Sequence, residues 1–416
     1  MKKINVIIKN TFIWHAVSYV LYAMQSAILL FIISNWSLPD DAGIFSLAFA
    51  VATLFLCVAQ FGMRSYQVAD IENKYNFREY EYSRLISVAL CILLCGLYIF
   101  YQREISDYSN YKTFVICLVC LLKITDAAED VFHGYYQQND KLICAAILLT
   151  SRLFLTDVVF AVTLILFSDM LKALLCSVLF TYLFAYYSNK YTLRGFKEYK
   201  SNVISGKNIL SLMYECVPVC LSQFLMMYIT NASKYALDGI GTEQQQAYFG
   251  YLSMPVFSIS LVSNILFTPY FLEYAKDWKE GRQKKFLLQA AGRIAMIALI
   301  TCGIMVFGEW IGLDLLSLLY NAELRPYKNA FFLLLLGGGF CAVCNSLIYV
   351  ITVVGYQKKI IWAYSSVAGI ALICAKLVVR NWGFMGAAAF MMLLFASLAV
   401  ILTIIFIYGV KKGWKP

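Results

Sequence analysis

Residues 386–410 read GAAAFMMLLFASLAVILTIIFIYGV and run directly into Lys411 and Lys412. No side chain in the stretch is charged. An α-helix rises 1.5 Å per residue, so ~20 apolar residues cross the ~30 Å hydrocarbon layer of a membrane. An uncharged run of this length closed by two lysines therefore marks a transmembrane helix that stops at a membrane face. The pattern recurs along the whole chain, at 12–34, 42–61, 83–101, 113–133, 142–167, 171–188, 209–232, 248–272, 286–307, 329–354 and 359–378. The expected fold is an all-α polytopic membrane protein with twelve transmembrane helices. Charged residues make up only 14% of the sequence, against about a quarter in soluble domains.

The bases between the spans orient them. The N-terminus, the even-numbered loops and the C-terminus hold about 23 of the 34 Lys and Arg, and short base-rich loops stay in the cytoplasm. The odd-numbered loops hold about seven: Arg103, Lys112, Lys172, Lys234, Arg325, Lys328 and Arg380. Both termini are thus expected inside. The net charge of +10 sits in membrane-flanking loops, where anionic lipid headgroups are the natural partners, so nucleic acid is not expected. The N-terminus reads as an uncleaved first span.

The 13 cysteines lie almost entirely within the spans and suggest no disulfide framework. Cys117 with Cys120, and Cys341 with Cys344, have the spacing of metal or redox pairs, but two ligands fall short of the four that zinc needs. They read as small packing residues, and neither a metal nor a cofactor is expected. No outward loop is large enough to fold as a catalytic domain, which argues against an enzyme.

The polar connection 189–208 separates an N-terminal six-helix lobe, 1–188, from a C-terminal one, 209–416. A shift of about 205 residues overlays the first spans of the two lobes and sets Ala42–Leu47 against Ala247–Leu252, the signature of a parallel repeat. Pro218, Pro255, Pro269 and the triplet Gly337–Gly339 interrupt spans 7, 8 and 10, as kinks or close-packing points, or where a path requires them.

The fourth span carries Lys123, Asp126, Glu129, Asp130, His133 and Gln137. At ~100° per residue, all of these but Glu129 fall in an arc of about 80°. Ionised groups cannot face lipid, so the stripe must face protein or a water-filled cavity, as an ion-paired clamp or as a working site. Arg152 and Asp157 of the fifth span point about 140° apart and need partners on other helices. Lys123 and Arg152, at mid-depth, are the expected contacts for an anionic headgroup such as a phosphate or diphosphate. Arg64, Arg293 and Lys376 are further candidates. Asp126, Glu129, Asp130 and Asp157 are candidates for ion coupling.

Two stretches resemble the Wzx-type polysaccharide flippases of the multidrug/oligosaccharidyl-lipid/polysaccharide exporter superfamily. One runs from Gln60 to Asp70 and is followed by Tyr80 and Arg84. The other runs from Asp126 to Gln137 and on to Arg152. The resemblance implies a transporter of the bacterial plasma membrane that carries an undecaprenyl-diphosphate-linked oligosaccharide between leaflets. It also implies a cationic lumen, alternating access driven by a proton or sodium ion, and polysaccharide polymerase machinery as a partner. An ion-coupled multidrug exporter of the same superfamily is the nearest alternative, although span 1 (His15, Gln25, Ser26) lacks the carboxylate such a pocket would want. A polytopic lipid-sugar polymerase or glycosyltransferase is a more distant one.

Overall fold

The computed structural model describes residues 2–70, 72, 74–194, 204–267 and 271–413. Most of the 189–208 connection and Pro269 lie outside the described residues. The helices are α1 Lys2–Trp36, α2 Pro39–Gln60, α3 Met63–Ala69, α4 Phe77–Ser106, α5 Asn110–Gln138, α6 Leu142–Phe167 and α7 Met170–Leu193. They continue as α8 Gly206–Leu237, α9 Glu243–Phe267, α10 Phe271–Lys279, α11 Gln283–Phe307, α12 Leu313–Tyr320, α13 Lys328–Val353 and α14 Ile360–Gly413. No strand occurs among the described residues.

Each expected span coincides with a helix, and the chain is a multi-pass integral membrane protein. Among the described residues, nine helical stretches are long and apolar enough to cross a membrane by composition alone. Two reasons account for most of the difference from twelve. The last of these stretches joins two spans through Gly383, whose left-handed φ of 56° breaks the helix. The second is α5, whose charges, from Lys112 to Asp130, disqualify it. Exposure follows the membrane pattern, with Leu93, Leu97, Leu183, Leu299, Leu372 and Ile373 outermost.

The chain packs as two compact units, Met1–Met227 and Tyr228–Pro416. The division falls inside α8 because Leu212, Cys216 and Cys220 pack with Phe61, Met63 and Tyr136 of the first unit. In that unit α5 is central and touches α2, α3, α4, α6 and α7. The inward face of α7 repeats small or polar residues every turn (Ala173, Ser177, Thr181, Ala185, Asn189) while Leu179 and Leu183 face outward. Small residues let membrane helices approach closely, and Thr181 hydrogen-bonds Thr156 of α6 at 2.9 Å. Two of the cysteines pack likewise, with Cys95 of α4 and Cys120 of α5 at 3.3 Å as free thiols.

In the second unit the corresponding fourth span, α13, is central and touches α9, α10, α11 and α14. Its three glycines face three neighbours. A Cβ on Gly337 would lie 3.2 Å from the Met392 backbone of α14, one on Gly338 2.9 Å from Val256 Cγ1 of α9, and one on Gly339 2.7 Å from Thr301 Oγ1 of α11. The triplet is a close-packing device. Gly338→Val is expected to destabilise the protein by about 1–3 kcal/mol through overpacking, with part of the loss recovered by adding Val256→Ala. Thermal unfolding in detergent measures both, and an unchanged midpoint for Gly338→Val would refute the packing role.

Candidate functional site: a buried ionic cluster

The first unit gathers seven of the nine residues expected at a site. Arg152, only 1% exposed, reaches from α6 to two carboxylates one turn apart on α5. Its Nη2 donates to Asp126 Oδ1 at 2.5 Å and its Nε to Glu129 Oε2 at 2.6 Å. Lys123, also buried, stands 2.5 Å from the other Asp126 oxygen. It donates to Gln25 Oε1 of α1 at 3.0 Å and lies over the rings of Tyr22 and Phe49 at 4.6 and 5.2 Å. One carboxylate thus joins two cations from two helices, and Lys123 adds α1 and α2 to the joint.

Asp130, one turn further on, is shared by two arginines. Arg84 Nη2 donates to it at 2.8 Å and Arg64 Nη1 at 3.4 Å. Arg64 also donates to Gln137 at 3.2 Å. The local backbone explains why Arg84 is here. At the end of α2, Phe61 and Gly62 are both left-handed (φ 52° and 68°), so the helix stops and its last carbonyls lose their intrahelical partners. Arg84 Nη1 and Ser87 Oγ donate to the carbonyl of Ala59 at 2.6 and 2.7 Å. The base count placed Arg84 in a cytoplasmic loop, but α4 starts at Phe77, behind an Asn76–Glu79 capping box, and buries it. The rest of the Gln60–Asp70 motif is an ordered turn. Asp70 accepts from the Lys74 and Tyr75 amides and the Tyr80 hydroxyl, at 2.8, 3.0 and 3.0 Å.

Asn189 of α7 closes the network, donating to Glu129 Oε1 at 3.4 Å and accepting from the Tyr136 hydroxyl at 3.0 Å. His133 Nε2 lies 4.0 Å from Glu129. Asp157 is buried with neither carboxylate oxygen in a hydrogen bond; Gln25, Lys123 and Arg152 are the polar groups that act on it. Arg84, Asn189 and Tyr22 were not singled out from sequence as site residues. The break at Phe61–Gly62, which leaves carbonyls to be satisfied, was the available signal for Arg84.

The charges are unevenly placed. Arg64 and Arg84 face Asp130 alone, whereas Lys123 and Arg152 face Asp126, Glu129 and Asp157. The inner end holds an excess of one positive charge, and the deeper part lacks one. A cavity of about 280 Å³ connects the two, lined by His15, Tyr22, Gln60, Arg64, Asp126, Glu129, Asp130 and Arg152 among others. It has room for about nine waters at ~30 Å³ each. That volume suits water, a small ion or a phosphate group rather than a sugar repeat. Arg64 is the accessible cation, with 33% of its side chain exposed.

The remaining two candidates belong to the second unit and are not brought together there. Arg293 is buried with its guanidinium 4.0 Å from the Tyr274 ring centroid. Lys376 is exposed and lines a surface pocket with Arg380.

No protein-family profile matches the chain. It is similar to the capsular polysaccharide biosynthesis protein CapF of Staphylococcus aureus, 22% identical over 358 residues that cover 84% of this chain and 86% of that protein. Among solved structures it resembles an inward-facing multidrug resistance MATE family transporter of the MOP superfamily, with TM-score 0.64 and 12% identity over 97% of this chain and 94% of that one. It also resembles the Vibrio cholerae MATE transporter VcmN in its bent form, with TM-score 0.59 and 12% identity over 99% of each chain. A MOP superfamily transporter from Pyrococcus furiosus, described as having a binding pocket of reversed polarity, aligns at TM-score 0.56 and 12% identity over 98% and 95% of the two chains. The chain therefore has the MATE-transporter fold of the MOP superfamily.

Removing one member of a buried ion pair strands the other. Arg152→Met should destabilise the protein by about 3–5 kcal/mol and lower its membrane abundance, since Asp126 and Glu129 lose their shared donor. Arg152→Lys should cost less, and Arg152→Met with Glu129→Gln should recover part of the loss. Quantitative blotting with thermal unfolding checks the series; full stability of Arg152→Met would show that the cluster does not hold the helices.

Proposed function

We propose that this protein is a flippase of the bacterial plasma membrane that moves an undecaprenyl-diphosphate-linked oligosaccharide from the inner to the outer leaflet by alternating access, for surface polysaccharide synthesis. The fold is that of transporters, and the similarity to a capsular polysaccharide biosynthesis protein favours a lipid-linked sugar. The observation that carries the reading is the sharing of Asp130 by Arg64 and Arg84 at the inner mouth of a membrane-embedded cavity. An excess cation there attracts the diphosphate of a substrate arriving from the cytoplasmic leaflet, and an arginine binds phosphate oxygens in bidentate fashion.

The roles within the cluster then divide. Lys123 and Arg152 have carboxylate partners, so both clamp helices rather than grip the headgroup. Arg64 is the headgroup contact of the first unit, and Arg293 and Lys376 are candidates in the second. Asp157 is the coupling position, because the deep part of the cluster lacks one positive charge that a proton or a sodium ion supplies. The six-plus-six division of the chain at 189–208 and a link to polymerase machinery belong to the same proposal.

Surface glycan and membrane abundance should be measured together in a strain lacking the gene and carrying variants. Arg64→Gln is expected to cut glycan about tenfold or more at normal abundance, since a charge-assisted contact contributes ~1.5–3 kcal/mol. Arg64→Lys should retain most of it. Asp157→Asn should assemble normally but lose the response of flux to an imposed proton or sodium gradient. Full glycan with Arg64→Gln would sink the headgroup role, and intact gradient dependence with Asp157→Asn would sink the coupling role. One observation favours the alternative of a multidrug exporter: solved structures with this fold include MATE multidrug transporters. Unchanged glycan but raised drug sensitivity in the deletion strain would support it.

A further inference from the structure

The other side of the Glu129–Asn189 contact opens onto the membrane. Between α5 and α7 lies a groove of about 800 Å³ whose floor includes Ala128, Glu129, Ala185 and Asn189. It exists because Ala128 and Ala185 are too small to fill the space between the two helices. Its walls are Phe132, Tyr182 and Tyr186, and the exposed tyrosines continue the lipid-facing surface of Leu179 and Leu183. The Tyr182 hydroxyl donates to the Leu121 carbonyl at 3.1 Å, fixing one wall.

At its inner end the groove is bordered by Lys190 and Arg194, one helical turn apart. Lys190 is positioned by the Tyr186 hydroxyl at 3.2 Å and has no carboxylate partner. Glu81 also lines the mouth but pairs with Arg78 at 2.8 Å. From Tyr182 to Arg194 the groove runs ~18 Å along α7, close to the ~15 Å depth of one leaflet plus its headgroup region. A groove that is apolar along one leaflet and doubly cationic at the cytoplasmic interface matches one class of molecule.

We propose that this groove is a binding site for an anionic glycerophospholipid of the cytoplasmic leaflet, with the phosphate on Lys190 and Arg194 and an acyl chain along Phe132, Tyr182 and Tyr186. The site does not depend on the transport reading. Its floor is the back of the ionic cluster, so an occupant packs against Asn189 and, through it, the carboxylate that pairs with Arg152.

Native mass spectrometry of the purified full-length protein tests the assignment, with dioleoyl phosphatidylglycerol and dioleoyl phosphatidylcholine as probes. The wild type should bind phosphatidylglycerol about tenfold more tightly, given two cations at the headgroup. Lys190→Gln with Arg194→Gln, both exposed and without structural partners to strand, should abolish that preference. Lys411→Gln with Lys412→Gln, at the same membrane face on α14, should leave it intact. Equal binding of the two lipids by the wild type, or a preference that survives loss of Lys190 and Arg194, would overturn the proposal. Displacement of bound phosphatidylglycerol by equimolar undecaprenyl diphosphate would overturn the phospholipid assignment and make the groove a station for polyprenyl lipid.

Discussion

An ionised side chain inside a membrane must find its counter-charge in the protein, and in this chain that requirement organises the first unit. Arg152 satisfies two carboxylates of α5 at once, Asp126 passes its second oxygen to Lys123, and Lys123 reaches α1. The helices are held in register by groups that cannot be left alone. Each ion costs several kcal/mol to bury unpaired, so the network fixes one arrangement more firmly than apolar packing between helices in lipid would. Hydrocarbon is no worse a neighbour for leucine than another leucine is, and the hydrophobic effect gives membrane helices little reason to associate.

The two units meet the same constraint differently. The fourth span is central in each, but α5 joins its neighbours through charge whereas α13 joins them through three glycines that bring backbones and side chains together. The charged solution leaves room for water and a cavity beside it; the glycine solution fills the space. This difference is why the first unit, taken by itself, carries the stronger functional signal.

Much of this was legible in the sequence, and unevenly so. Hydropathy is a one-dimensional property, so twelve spans could be read directly, including those on either side of Gly383. The Lys123–Asp126 pair could be read as well, because three residues along a helix is one turn. The partners of Arg152 could not, since they depend on which helix packs against α6, and the pattern along α6 alone does not say. Arg84 was assigned to a loop because hydropathy places a helix end only to within a turn, yet Asp130 and the freed Ala59 carbonyl draw it into the protein. The packing division inside α8 was equally hidden. Nothing in the residues around Met227 marks it, and it arises only from what Cys216 and Cys220 touch.

The sharing of carboxylates has a consequence for inheritance. A mutation that removes Arg152, Asp126 or Glu129 alone leaves a partner stranded, so a lineage reaches a new arrangement only by passing through a damaged intermediate or by changing two positions together. The lipid-facing sides of α4, α7 and α14 carry no such linkage, and any apolar residue serves there. Variation in a protein built this way should accumulate freely on its outer skin and in correlated jumps at its ionic centre, two tempos set by whether a side chain's counterpart is another residue or the solvent itself.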